Sequence, residues 1–131
     1  MNVNVGFIGC GTLGGSIATG LAKAPEFKGK IIMSDPFNRA NIDKLYSLYP
    51  EKIVSVDSQE DLLKQAEIVF PAVLPTLLPD IASGLTFTER HKVIHVAAGI
   101  NLTEAGKYYK NAGKLLRAVP LPFAARRMGP M

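Results

Sequence analysis

Three glycines near the N-terminus constrain the fold of this chain more than any other feature. The pattern G-x-G-x-x-G is formed by Gly9-Cys10-Gly11-Thr12-Leu13-Gly14. It directly follows a β-branched and aromatic run at residues 3–8, which predicts a strand. It also opens a segment at residues 12–23 in which Leu13, Ile17 and Leu21 recur at helical spacing, which predicts a helix. A glycine-rich turn between a strand and a helix is typical of the first βα unit of a dinucleotide-binding sheet.

Each glycine of this loop has a distinct expected role. Gly9 allows a tight turn, and Gly11 has no side chain to keep a pyrophosphate away from the backbone. Gly14 lets the helix pack closely on the strand. The helix N-terminus then presents N–H groups and a partial positive charge to phosphates. The loop therefore predicts that all six of its residues contact NAD or NADP.

An acidic residue stands where the dinucleotide fingerprint requires one. Asp35 follows Gly14 by 21 positions, at the end of the second predicted strand. A carboxylate there accepts hydrogen bonds from the adenosine ribose hydroxyls, which favours NAD. Asn38 and Arg39 follow closely, however, and a nearby arginine is how such sites accept the 2′-phosphate of NADP. Both cofactors therefore remain open.

The rest of the chain alternates between strand-like and helix-like segments. Further strands are predicted at residues 31–33, 53–56, 67–73, 92–97 and 114–119. Further helices are predicted at residues 41–48, 59–66, 77–83 and 103–109. The helix at 59–66 follows Ser58, an N-cap hydroxyl three residues before Asp61. This order predicts an α/β fold, a doubly wound parallel (Rossmann) sheet of order 3-2-1-4-5-6, with residues 1–131 as one domain.

Ligands of such sheets bind beyond the C-terminal ends of the strands. The candidate walls after the fourth and fifth strands are Val73-Leu74-Pro75 and Ala97-Ala98-Gly99. Small residues at 97–99 would let a nicotinamide ring lie close to the backbone. A plain packing turn explains the same residues equally well.

Composition excludes several other classes of protein. The net charge of +4 comes from 15 basic and 11 acidic residues, which are too scattered to indicate nucleic-acid binding. Cys10 is the one cysteine, so no intramolecular disulfide is possible, which fits a reducing compartment. The N-terminus lacks a signal-peptide pattern, and three prolines and Asp80 interrupt the apolar window at 68–85. We expect a cytoplasmic protein without a membrane span.

The remaining reactive side chains carry less information. A helix N-terminus could lower the pKa of Cys10, although a small residue filling a tight slot explains it better. His91 and His95 lack Cys or carboxylate partners at ligand spacing, so we expect no metal. His95 alternates with apolar residues and is expected to be structural. Neither a nucleophilic triad nor a carboxylate pair is recognisable, and no catalytic residue is assigned.

Four segments together resemble pyrroline-5-carboxylate reductases. They are residues 7–14 (FIGCGTLG), 72–75 (AVLP), 97–100 (AAGI) and 117–120 (RAVP). The resemblance covers most of this chain but only the N-terminal half of that enzyme. It implies reduction of a cyclic imine to proline by hydride transfer from NAD(P)H, with residues 73–75 and 97–99 flanking the cofactor. It also implies a small-molecule imine substrate and, for the full-length enzyme, a homo-oligomer.

Two departures from the family pattern leave the substrate open. The usual lysine of the A-V-K-P segment is Leu74. The Asn and Thr of the R-x-x-P-N-T-P-A segment are replaced by Leu121 and Pro122, with one residue lost. Both changes lie near the expected nicotinamide and replace polar groups with apolar ones. They indicate a reductase-like relative.

Length is a third departure. In the family, an all-helical domain for dimerisation and substrate binding follows, whereas this chain ends at Met131. A shortened piece or a natural fragment would bind the dinucleotide but show little activity, because hydride transfer needs both reactants held in position. It would also expose an apolar face near residues 121–131.

Two other functions fit the same residues. One is the N-terminal domain of a β-hydroxyacid or prephenate-type dehydrogenase. That chemistry needs a general base, usually His or Lys, and none is convincingly placed after strands four to six. The other is a non-catalytic NAD(P)-binding or sensor module.

Overall fold

The computed structural model describes residues 3–35, 39–73, 80–81, 85–95, 106–109 and 111–117. In chain order, the elements are β1 (Val5–Ile8), α1 (Thr12–Lys23), β2 (Ile31–Ser34), α2 (Arg39–Leu48), β3 (Ile53–Ser55), α3 (Gln59–Gln65), β4 (Ile68–Pro71), β5 (Lys92–His95) and β6 (Lys114–Arg117). Residues 80–81 and 106–108 are also helical.

All six strands form one parallel sheet of order β3-β2-β1-β4-β5-β6. Val5 of β1 lies opposite Ile31 of β2 on one side and Ile68 of β4 on the other. The predicted fold class and strand order are confirmed. Because the strands are parallel, their C-terminal ends share one edge of the sheet, and the order reverses between β1 and β4 at that edge.

Helices cover both faces of the sheet, as the predicted doubly wound fold requires. Phe7 and Ile8 are adjacent in β1 and fully buried on opposite faces. On the first face, Phe7 stacks on Phe70 with ring centroids 4.9 Å apart, and the cluster includes buried residues of α1 and α2. On the second face, the buried residues of α3 complete the other cluster.

Element boundaries agree closely with the sequence patterns, with a few corrections. Helix α1 has the predicted bounds. Strand β1 begins at Val5 rather than residue 3, and α2 begins at Arg39 rather than Asn41. Strand β4 ends at Pro71 rather than Val73, because its neighbour β1 ends at Ile8. The Ala72 N–H still donates to the Ile8 carbonyl at 2.7 Å, and the glycine loop then turns away.

Other boundaries shift by one residue or lie outside the described ranges. Strand β2 extends to Ser34, β3 ends at Ser55 and α3 ends at Gln65. The Ser58 hydroxyl accepts the Asp61 N–H at 3.1 Å, as the predicted N-cap requires. Residues 77–79, 82–83 and 103–105 of the other two predicted helices, and the predicted continuations of β5 and β6, fall outside the described residues.

Basic side chains satisfy helix carbonyls at the N-terminal edge of the sheet. The Lys52 ammonium donates to the carbonyls of Ala22, Ala24 and Phe27 at 3.1–3.2 Å, around the C-terminus of α1. The Arg90 guanidinium likewise donates to carbonyls in the last turn of α3. Within the described ranges, no helix is long and apolar enough to span a membrane.

Candidate functional site

The glycine loop lies at the C-terminal edge of the sheet, between β1 and α1. Gly9 has a φ of +103°, which favours glycine. A Cβ on Gly9 would lie 2.6 Å from the Ala72 carbonyl oxygen, and one on Gly14 would lie 2.6 Å from the Gly9 carbonyl oxygen. A Cβ on Gly11 would meet no atom within 4 Å. The loop thus has the tight turn, the close helix packing and the open position that the fingerprint requires, while its contact with a cofactor stays a prediction.

The N-terminus of α1 carries backbone donors that the helix does not use. Gly11 is the N-cap, no side chain caps it, and the first turn contains no acidic residue. The first intrahelical bond runs from the Gly15 N–H to the Gly11 carbonyl at 2.9 Å. The N–H groups of residues 11–14 therefore have no acceptor within the helix and form a favourable site for an anion. Thr12 and Leu13 take part through the helical backbone.

A groove of about 450 Å³ opens beside this helix end. It lies between α1 and α2 and begins at Gly11, with Asn41 and Lys44 in its wall. The space in front of Gly11 is therefore continuous with the surface of the protein.

Cys10 is part of the core. Its side chain is fully buried in the cluster on the α1 face. Burial, and then the Asp35 carboxylate, raise the pKa of the Cys10 thiol to about 11. The alternative of a lowered pKa is contradicted, because burial and the neighbouring carboxylate both raise it. Cys10 fills a tight slot as a neutral thiol.

The backbone of Cys10 is bound on both sides by polar side chains. Its N–H donates to Asp35 Oδ2 at 2.6 Å, and its carbonyl accepts from Asn41 Nδ2 at 2.7 Å. Asp35 directly follows β2, and Asn41 lies in the first turn of α2. The predicted ribose-binding carboxylate therefore also supports the loop. Sequence patterns gave no sign of the Asn41 contact, because it joins positions 31 residues apart.

Arg39 lies at the start of α2 among carboxylates. Its guanidinium donates to Asp57 Oδ1 at 3.2 Å, and its Nε is 3.7 Å from Asp43 Oδ1. The Arg39 and Asp57 side chains are 54% and 91% exposed, so solvent screens this pair. Asp57 follows β3 at the same sheet edge as Asp35. Asp57 could have been identified from the sequence, because it directly follows the strand predicted at 53–56 and ligands bind beyond the C-terminal ends of strands.

The structure describes one residue of the two predicted walls at 73–75 and 97–99. Val73 is half-buried beyond the end of β4 and packs against the second core cluster. The other predicted wall and cofactor residues lie outside the described residues; they are Asn38, Leu74, Pro75, Ala97, Ala98 and Gly99.

Both histidines are buried and hydrogen-bonded. His91 Nδ1 accepts the Thr88 N–H at 3.0 Å, so Nε2 carries the proton and donates to the Leu63 carbonyl at 2.7 Å. His95 Nδ1 lies 3.3 Å from the Tyr109 hydroxyl, whose pKa is raised by burial. In the described part of the chain, no three His, Cys, Asp or Glu side chains are grouped to hold a metal.

Comparison with known families and sequences gives a consistent set of relatives. A family model described as NADP oxidoreductase, coenzyme F420-dependent, matches residues 4–99. The pyrroline-5-carboxylate reductase of Escherichia coli (strain K12) is 30% identical over 124 residues, which are 92% of this chain and 45% of that protein. Pyrroline-5-carboxylate reductase 1 of Dictyostelium discoideum is 28% identical over 118 residues, which are 88% of this chain and 21% of that protein. The chain thus spans less than half the length of these curated relatives.

Solved structures agree on the fold. A 1-pyrroline-5-carboxylate reductase from Streptococcus pyogenes aligns with a TM-score of 0.73 at 24% identity, covering 92% of this chain and 44% of that one. A pyrroline carboxylate reductase from Plasmodium falciparum, solved with NADP bound, aligns with a TM-score of 0.73 at 21% identity, covering 95% and 45%. The resemblance predicted from the sequence motifs is confirmed.

Proposed function

The chain belongs to the family described as NADP oxidoreductase, coenzyme F420-dependent, and from this premise we propose that its glycine loop binds NAD or NADP for hydride transfer. The observation that carries the proposal is the open N-terminus of α1. Its backbone donors lie beside a glycine with free space in front of it, and Asp35 lies at the end of the neighbouring strand. An anionic pyrophosphate fits this arrangement of donors, and ribose hydroxyls fit the carboxylate.

Different residues are proposed to bind different parts of the cofactor. Gly9–Gly14 bind the pyrophosphate, and Asp35 accepts from the adenosine ribose. In this proposal, Arg39 and Asn38 contact the 2′ position, where a phosphate would distinguish NADP from NAD. Val73–Pro75 and Ala97–Gly99 flank the nicotinamide.

The reaction proposed is reduction of a cyclic imine, as the names of the pyrroline-5-carboxylate reductase relatives suggest. When bound, a reduced nicotinamide would supply the hydride for the C=N carbon, and the nitrogen, which gains the π electrons, would take a proton. Leu74 replaces the family's lysine, so the imine need not be pyrroline-5-carboxylate itself. Binding should be easier to detect than turnover with residues 1–131, because the described residues supply cofactor contacts and hydride transfer also needs a positioned substrate. We further propose a homo-oligomer for the full-length enzyme.

The direct test is a titration with NADH and NADPH, followed by nicotinamide fluorescence. The chain has no tryptophan, so the nicotinamide signal is free of indole emission. Saturable binding of either nucleotide is expected. Binding of neither would sink the proposal.

Gly11→Asp is the sharpest companion variant. Aspartate is a preferred N-cap residue and the position has open space, so the variant should fold at least as well as the wild type. Its carboxylate would occupy the phosphate position and repel it, so binding should be lost. Wild-type affinity in this variant would show that the nucleotide binds elsewhere.

Turnover separates the remaining functions. Oxidation of NAD(P)H in the presence of a five-membered cyclic imine supports the reductase. Reduction of NAD by prephenate or a β-hydroxyacid supports the dehydrogenase alternative. Nucleotide binding without turnover on any of these substrates supports the binding module.

A further inference from the structure

Asn41 lies outside the glycine motif, yet its side chain bonds to the middle of the loop. We infer that Asn41 is a positioning residue for the dinucleotide: by holding the Cys10 carbonyl, it directs the Gly11 N–H toward the pyrophosphate. This inference rests on the proposed function. It follows from the orientation of two consecutive peptide planes.

The first plane joins Gly9 to Cys10. All described peptide bonds are trans, so the carbonyl and the N–H of one plane point in opposite directions. Because the Cys10 N–H points to Asp35, the Gly9 carbonyl must point the other way. It does: a Cβ added to Gly14 of α1 would lie 2.6 Å from that oxygen. Asp35 and the close approach of α1 therefore fix this plane.

The second plane joins Cys10 to Gly11. Its carbonyl points to Asn41 Nδ2 at 2.7 Å, so the Gly11 N–H points away from α2. In the described ranges no atom accepts that N–H. Gly11 also has open space in front of its Cα. The plane that presents the first donor of the anion site is thus oriented by one side chain.

Glycine makes this support necessary. Gly9 and Gly11 flank Cys10, and glycine backbones have the largest conformational freedom. A loop that is free to rotate its peptide planes would lose that freedom on binding a phosphate, which weakens affinity. Asn41 is itself well placed to prevent rotation, because buried Ile42 and Leu45 anchor the same helix to the core.

The chemistry of the amide is specific to the task. Asn41 donates an N–H to a carbonyl, which Ala cannot do at all. Asp has the same shape but presents an oxygen to an oxygen, which is repulsive. Asn41→Asp should therefore weaken binding more than Asn41→Ala.

Asn4 provides a matched control. Its amide also bonds to backbone groups, donating to the Gln65 carbonyl at 3.1 Å and accepting the Lys30 N–H at 3.0 Å. These contacts lie at the N-terminal edge of the sheet, away from the loop. Asn4→Ala should therefore lower stability without changing affinity for the dinucleotide.

The experiment measures the Kd of NADH and NADPH for the wild type, Asn41→Ala, Asn41→Asp and Asn4→Ala, with the midpoint of thermal unfolding for each. Loss of one neutral hydrogen bond predicts a rise in Kd of about fivefold for Asn41→Ala, equal for the two nucleotides. A second readout is the Gly11 amide resonance of the free protein, which should shift or broaden in the Asn41 variants and stay unchanged in Asn4→Ala.

The outcomes are distinct. An unchanged Kd in Asn41→Ala, or a rise no larger than that of Asn4→Ala, overturns the inference. If the wild type binds neither nucleotide, the proposed function fails, and the inference fails with it as a statement about pyrophosphate. The Gly11 resonance then still decides whether Asn41 orders the loop. Weaker binding confined to the Asn41 variants, with a shifted Gly11 resonance, supports it.

Discussion

The two ends of helix α1 differ in whether their unpaired backbone groups are capped. At the C-terminal end, Lys52 donates to three carbonyls and its ammonium also lies 5.7 Å from the centre of the Phe27 ring. At the N-terminal end, Gly11 offers no side-chain cap, and no acidic residue lies in the first turn. Capping an exposed helix end contributes stability, so an uncapped end beside a fixed loop is better explained by binding. The difference fits a helix that is stabilised by capping at one end and has the proposed cofactor site at the other.

The largest expected effect on stability tests the geometry of the glycine loop at the uncapped N-terminal end of α1. Gly9→Ala forces a left-handed φ on a residue with a Cβ and places that Cβ against the Ala72 carbonyl. Strain and overlap together should lower the free energy of unfolding by about 4 kcal/mol. Urea unfolding measures this. Gly15→Ala is the control, because its Cβ meets no atom and alanine favours helices, so it should stabilise by about 0.5–1 kcal/mol. Equal effects of the two variants would contradict the assigned loop geometry.

The next effect tests the C-terminal end of α1, where Lys52 donates to the carbonyls. Lys52→Met keeps the apolar stem but removes the ammonium from the carbonyls of Ala22, Ala24 and Phe27. The free energy of unfolding should fall by about 2.5 kcal/mol, since hydrogen bonds from a charged donor are among the stronger ones. Affinity for the dinucleotide should not change, whereas exposed Lys28→Met should alter neither quantity. A higher Kd for the dinucleotide in Lys52→Met would contradict separate roles for the two ends of α1.

A third effect follows from the raised pKa of the Cys10 thiol. Folding raises this pKa from 9.0 to about 11, so the folded state holds the proton more tightly than the unfolded state. The associated stability is fully present below about pH 9 and is lost as pH rises through 11. Its size is about 2.7 kcal/mol by linkage, since each pKa unit corresponds to about 1.4 kcal/mol. The measurement is the unfolding free energy of wild type and Cys10→Ala at several pH values, and parallel curves would exclude a buried thiol.

The smallest effect concerns the charges beside the open end. Asp57 engages Arg39 at 3.2 Å, and Asp57→Asn would release that guanidinium for a 2′-phosphate. Because an exposed ion pair contributes little, the affinity ratio of NADPH to NADH should rise by only about threefold. Nucleotide titration of Asp57→Asn in the presence and absence of Arg39→Gln separates the causes. A gain that persists without Arg39 would show simple relief of charge repulsion.

Most of the fold could be predicted because it depends on local patterns. The bounds of α1 follow from the glycines before it and the spacing of Leu13, Ile17 and Leu21. The strand order follows from parallel crossovers of fixed hand. The end of β4 could not be predicted in the same way, because it depends on where the neighbouring β1 stops.

The site residues could be predicted where they have a recognisable spacing in the sequence, but not where they reach the site from distant positions. The loop glycines and Asp35 have a spacing that a reader of the sequence can recognise. Asn41 and Lys52 act on backbone atoms about 30 residues away and have no signature of their own. Cys10 as a buried residue in a tight slot was predicted, but the contribution of Asp35 to its raised pKa was not, because the two residues lie 25 positions apart.

The contacts of Asp35 and Asn41 with Cys10 bear on how this loop can evolve. Both side chains bind main-chain atoms, so neither one recognises the cysteine as such. Any small side chain that fills the slot can replace it, and drift at position 10 is limited only by volume. Positions 35 and 41 have no such tolerance, since each supplies one specific polar group. We therefore expect position 10 of the G-x-G motif to accept other small residues, and positions 35 and 41 to accept few replacements.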